Sequence, residues 1–164
     1  MNWTDLVVLI IIGSITAAEA KRGLGPALFT VAGALLSARL ALLWSGPVSG
    51  SLRLTANPGQ NQAWALFLLF ALLMTVVLAI IHVMHPETMI SADPFDGPLG
   101  AICGFFTGCA VAFVFYKGLG FWGARDLLQS SLFAPEILHQ RTYHAIVRGL
   151  YGLGDAQNER LNIK

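Results

Sequence analysis

His82 and His85, followed by Glu87, are the first residues of this chain that invite a chemical reading: three apart, the two imidazoles share one face of a helix and could offer a metal ion two nitrogens beside a carboxylate. A structural zinc site wants about four ligands, and neither a further His nor a Cys lies near them, so no metal and no cofactor is expected. Ser130 and Ser131 supply hydroxyls and His139 a base, but nothing around them has the spacing of an acyl-transfer motif. No H-E-x-x-H and no phosphate-cradling glycine loop is present either. His139 and His144 read as solvated residues of an interface, and the chain reads as a protein without catalysis of its own. Cys103 and Cys109, six apart in one apolar run, turn about 240° away from each other on a helix and cannot pair within it; they read as small buried hydrophobes.

That leaves isolated charges in or beside apolar stretches as the candidate functional polar residues: Asp5, Arg22, Arg39 and Asp96. Arg39 has two readings. Near a helix end its stem can carry the guanidinium toward the headgroups, and deeper it would be a buried functional charge. With 55% apolar residues, 12% charged and a net charge of +1, the chain cannot clothe a water-facing surface and has no basic field for nucleic acid. Its environment is lipid.

A helix rises 1.5 Å per residue, so crossing a hydrocarbon layer about 30 Å thick takes about 20 apolar residues. Four stretches qualify, at about residues 3–18, 24–44, 63–82 and 98–116. The third carries no acidic or basic charge from Ala63 to Ile81, and its dozen or so large apolar residues favour insertion by roughly 5 kcal/mol. Asp96 before the fourth and Lys117 after it mark that span's ends and suit the helix dipole. Pro26 is tolerated in the first turn of the second, and Trp44 ends that span at interface depth. The first is short, with Glu19, Lys21 and Arg22 following at once, so it either crosses with local thinning or forms a re-entrant hairpin. Ala18-Glu19-Ala20 resembles a signal-peptidase site, yet no Lys or Arg precedes the apolar run, and the segment is read as retained.

Between the spans, Ser45 to Gln62 reads as a solvated loop, and Pro86 and Pro94 break the stretch from His82 to Asp96. After the fourth span, residues 122–151 interleave Leu127, Leu128, Leu132, Ile137, Leu138, Ile146, Val147 and Leu150 with charges, which predicts two amphipathic helices on the membrane surface, separated at Pro135. Residues 152–164 read as a flexible tail. The fold expected is all-α: a polytopic bundle of four transmembrane helices over residues 1–121 with C-terminal interfacial helices.

Gly100, Gly104 and Gly108 repeat G-x-x-x-G twice on one face of the fourth span, where missing side chains let another backbone approach. The rhythm recurs as Gly33, Ser37 and Ala41, as Ala71, Thr75 and Ala79, and as Gly13 with Ala17. Gly13, Gly33, Ser37, Gly100, Gly104 and Gly108 are therefore the predicted helix-packing positions.

The order of features resembles the colicin V production protein family of bacterial inner-membrane proteins. The points of match are Trp3-x-Asp5 opening the first span, Arg22-Gly23 in the first turn, and the charge-free third span. Asp96 followed by Leu99-Gly100 and the Gly104 and Gly108 repeat, and a Ser131 to Pro135 segment, complete it, over most of residues 1–150. The chain departs from the family pattern at Gly25-Pro26, where the family carries further charge, and at Gly97, where it carries an arginine, so no function tied to an Asp–Arg pair transfers. The resemblance implies an inner-membrane location and a role in toxin production or export and in envelope homeostasis. The expected partners are the lipid bilayer and other membrane proteins or a second copy. The rival expectation is an oligomeric pore or transporter subunit with Asp5, Arg39 or Asp96 lining a path. Arg53, Lys117 and Arg125 on the side of the termini against Lys21 and Arg22 on the other favour cytoplasmic termini, whereas the family's extra basic residues in the first turn favour the reverse, and orientation stays open.

Overall fold

Asn2 starts the first helix. Its side-chain oxygen accepts from the Trp3 N–H at 2.7 Å, and its own N–H donates to the Asp5 carboxylate at 2.9 Å, a reciprocal cap that satisfies two otherwise orphaned donors. The computed structural model describes residues 2–52, 54–84 and 95–139. Within them α1 spans Trp3–Arg22, α2 Leu24–Ser51, α3 Pro58–Met84, α4 Asp96–Phe121, α5 Arg125–Gln129 and α6 Ala134–His139.

The first four are long and apolar enough to cross a membrane. α1 runs unbroken for 20 residues, about 30 Å, which leaves no bend for a re-entrant hairpin. It stops at Gly23, whose φ of 87° is a left-handed backbone conformation that a side chain disfavours, and whose N–H returns to the Glu19 carbonyl at 3.0 Å. One residue later α2 begins.

The loop expected over Ser45 to Gln62 is largely replaced by helix, since α2 runs to Ser51 and α3 starts at Pro58. The hydroxyls of Ser45 and Ser49 donate to the carbonyls of Leu42 and Gly46, at 3.0 and 2.7 Å, so the polar residues that suggested a loop satisfy the helix instead, and the helix continues through Pro47. Pro58 opens α3, where a missing N–H is harmless, and the Asn57 side chain caps it through the Gly59 N–H at 3.0 Å.

α4 is the hub: it is the most deeply buried of the four spans and α3 the least, and it packs most extensively on α1, then on α2. Ala38, Ala41, Leu66 and Val114 form the core between α2, α3 and α4; Val8, Ala112, Tyr116 and Ala134 form a second one between α1, α4 and α6. Partly buried side chains such as Leu42, Phe67, Phe70 and Phe113 pack around these cores, and many other large apolar side chains point outward, among them Leu35, Leu36, Leu68, Leu72 and Phe106. In water this would be an aggregating surface, and in hydrocarbon it costs nothing.

All four tryptophans gather at one end of the bundle. Trp3 opens α1, Trp44 lies in the last third of α2, Trp64 near the start of α3, and Trp122 follows α4, with the Trp64 and Trp122 rings 5.7 Å apart. Such a belt is what an aqueous interface selects. The opposite end carries Lys21, Arg22 and Asp96.

Beyond α4 the chain folds back onto it. Leu128, Ile137 and Leu138 pack around Tyr116, and the break between the two short helices is the turn at 130–133, with Pro135 inside the first turn of α6 rather than between them. The predicted second amphipathic stretch begins in α6 with Ile137 and Leu138; its remainder around Ile146, Val147 and Leu150, and the tail, lie outside the described residues.

Candidate functional site

At the tryptophan end, the side chain of Asp5 is fully buried. Besides Asn2, its carboxylate accepts from the Leu132 N–H at 3.2 Å, the Phe133 N–H at 3.5 Å, the Tyr116 hydroxyl at 3.3 Å and the Ser131 hydroxyl. Ser131 Oγ also accepts from the Ala134 N–H at 3.0 Å and lies 3.0 Å from Tyr116 Oη. Alongside, Asn2 Nδ2 donates to Ser130 Oγ at 3.0 Å. Three distant pieces of sequence thus meet on one carboxylate: the start of α1, the end of α4 and the turn into α6. Each lone pair of Asp5 has a donor, and the hydroxyl of Ser131 is committed to Asp5, not to His139, which is exposed at the end of α6. Such saturation immobilises a carboxylate. The arrangement is a clasp that holds the chain after α4 against the start of α1.

From the clasp, α1 and α4 run antiparallel along the glycine face. A Cβ on Gly108 would stand 2.8 Å from Ile12 Cα, one on Gly104 2.9 Å from Thr16 Cα, and one on Gly100 2.6 Å from the Glu19 carbonyl oxygen. Backbones this close gain dispersion and weak Cα–H···O contacts, which are the available sources of helix association in lipid.

At the far end of that seam stands Glu19, 3% exposed. Arg22, its side chain half exposed, reaches Glu19 Oε1 at 3.3 Å. Glu19 Oε2 has no hydrogen-bond partner, nor has the buried hydroxyl of Thr16 one turn earlier. Thr30 of α2 lies beside the carboxylate, yet its hydroxyl donates to the Pro26 carbonyl at 2.9 Å. Asp96, across the same end, accepts from the Leu24 N–H at 3.1 Å and would collide with any side chain at Gly23. The pair Arg22-Gly23 and the start of α4 are thereby locked together.

The other predicted residues fall in different places. Gly33 packs on Val77 of α3, and Ser37 is buried in α2. Gly13 has no atom within 4 Å of its would-be Cβ; it faces out of the bundle with Ser14, Ala17 and Ala18, so its predicted packing role is not met inside this chain. Ala71, Thr75 and Ala79 also face outward on α3. Arg39 is exposed on α2, five residues or about 7.5 Å before Trp44, within reach of the interface for a long side chain. Asp5, Arg39 and Asp96 do not meet: Asp5 is enclosed at one end, Asp96 caps α2 at the other, and Arg39 is on an outer face. Cys103 and Cys109 are partly buried free thiols. His82 is exposed near the end of α3, while His85 and Glu87 lie outside the described residues.

Three participants carry little or no signal in the sequence. Glu19 reads there as a charge after the first span, because the apolar run ends at Ala18; the helix continues through it. Tyr116 belongs to no pattern, and Ser131 is marked there only as a hydroxyl and as the start of the Ser131 to Pro135 segment, with nothing that ties it to Asp5. The capping spacing Asn2-x-x-Asp5 is the available hint, and the burial of that carboxylate is a tertiary fact.

Against known proteins, the family model for the colicin V production protein matches residues 4–142. No curated protein and no solved structure matches the chain.

Proposed function

The chain belongs to the colicin V production protein family, and on that premise we propose that this multi-pass membrane protein works in the bacterial inner membrane as an assistant, not a catalyst, in toxin production or export and envelope homeostasis, through contacts with other membrane proteins. The observation that carries the reading is Gly13. Lipid is served equally well by leucine, yet the outer face of α1 presents Gly13, Ser14, Ala17 and Ala18, a flat strip on which another helix backbone can rest. The saturation of Asp5 supports the non-catalytic part, since a carboxylate held by so many donors is fixed as an acceptor.

In cells that make colicin V, removing the gene should lower the toxin in the medium relative to that inside the cells. Wild-type protein should restore the ratio, and Gly13→Leu should not, although it folds. An unchanged ratio in the deletion strain speaks against the reading. The rival reading, an oligomeric pore or transporter subunit, draws on Arg39, an exposed charge on a spanning helix. Ion flux in vesicles of purified protein that changes selectivity in Arg39→Ala would favour it.

A further inference from the structure

We propose that the outward face of α2 holds one anionic phospholipid, with its phosphodiester on Arg39 and its headgroup in the groove between the end of α2 and the start of α3. Two glycines point to it. Gly46 and Gly50 lie inside α2 with ordinary helical backbone, are exposed, and a Cβ on either would meet no atom within 4 Å. Neither a turn nor a neighbouring helix of this chain requires glycine there, and glycine is a poor helix former. What the pair leaves is a bare strip of backbone on the outside of the bundle. Arg39 stands on the same line, seven and eleven residues earlier, which on a helix is a turn of about 20° to either side. The strip around Gly13 has no such charge within the span.

A guanidinium on a spanning helix needs an anion or water. Among the described residues Arg39 has no ion-pair partner, and a second copy has no acid to bring to it. Asp5 and Glu19 are buried, Asp96 caps α2 at the other end, and Asp126 and Glu136 follow Trp122, beyond the span. The interface supplies the anion. Gly46 is about 10 Å along the axis from Arg39, the length of an extended arginine and one hydrogen bond. A phosphate over Gly46 takes the guanidinium fork and, with no side chain at 46 or 50, lies against backbone. Past Trp44 and Trp64, α2 and α3 continue over residues 45–51 and 58–63, about 10 Å, into the headgroup layer. There Ser49, Gly50, Thr55 and Asn61 line an open groove of about 390 Å³, so that Gly50 joins the strip to the groove. The hydroxyls of Ser49 and Thr55 already donate, to the Gly46 carbonyl and to Asn57 and Asn61, and what they offer a headgroup is acceptor lone pairs. Glycerol hydroxyls suit these acceptors. A choline headgroup has no hydrogen to give, and an ethanolamine ammonium sets a second cation beside Arg39.

Full-length protein in detergent, given equal amounts of phosphatidylglycerol, phosphatidylethanolamine and phosphatidylcholine, tests this by native mass spectrometry. One bound phosphatidylglycerol should survive at several-fold the level of either other lipid. Arg39→Gln, which removes the charge, and Gly46→Leu, which keeps the charge but fills the strip, should each lower that adduct several-fold. Both positions face outward, so the lipid-free variants should melt with the wild type. Phosphatidylglycerol should raise the melting temperature of the wild type and leave that of Arg39→Gln where it was. Glycerol 3-phosphate, the same headgroup without its chains, should leave the wild type unmoved. No preference for phosphatidylglycerol in the wild type, an adduct that persists in Arg39→Gln or in Gly46→Leu, or stabilisation by glycerol 3-phosphate overturns the assignment.

Discussion

At the tryptophan end, Asp5 draws donors from α1, α4 and the turn into α6, whereas at the other end of the same helix Glu19 has Arg22 on one oxygen and nothing on the second. Both side chains are buried against α4. The tryptophan end has an orphan too, the Thr4 hydroxyl, but a neutral hydroxyl is far less costly to leave unpaired than a carboxylate oxygen. The difference teaches how a small membrane protein divides its few charges. Where three chain segments must be tied together, a carboxylate is filled until every lone pair is held, and where one helix end needs only a neighbour in its own turn, a single arginine is its partner.

The comparison can be broken first at its common support. Gly104→Leu puts a branched side chain against Thr16 Cα and Glu19 Cβ, so α1 and α4 must separate; a loss of about 3 kcal/mol or outright failure to fold is expected, read as melting in detergent. An unchanged melting curve would mean that the seam does not hold the ends together. Asp5→Asn comes next. Its amide points donors at donors, and a loss of about 2–3 kcal/mol should accompany release of the chain after α4, seen as new protease cleavage beyond Trp122. Ser131→Ala removes one donor to Asp5 and the acceptor of the Ala134 N–H, for about 1 kcal/mol by the same measurement. Smallest is Gly13→Leu, which meets no atom within 4 Å and should leave the melting temperature where it was while weakening crosslinks to neighbouring membrane proteins. Crosslinks that survive it would show that this strip is lipid-facing only.

How much of this is legible in the residues alone follows from which forces act locally. The apolar runs set the four spans, since insertion depends on composition, and the glycine repeat on α4 can be read because four-residue spacing fixes a helix face without knowledge of its neighbour. The same spacing cannot say that Gly33 meets Val77 while Gly13 meets nothing, because a face does not name its partner. The true end of α2 is hidden because Ser45 and Ser49 look like loop residues until their hydroxyls are seen to donate to the helix's own carbonyls. The pairing of Asp5 with Ser131, 126 residues apart, has no local trace at all.

The most direct test sets the two carboxylates side by side: the melting temperatures of Asp5→Asn and Glu19→Gln against the wild type, in one detergent at one pH. Glu19→Gln keeps the shape of the side chain and gives up one ion pair with a half-exposed arginine, so that variant should melt close to the parent while Asp5→Asn melts many degrees lower. Equal losses in both would contradict the account, because they would make Glu19 a second fixed clasp.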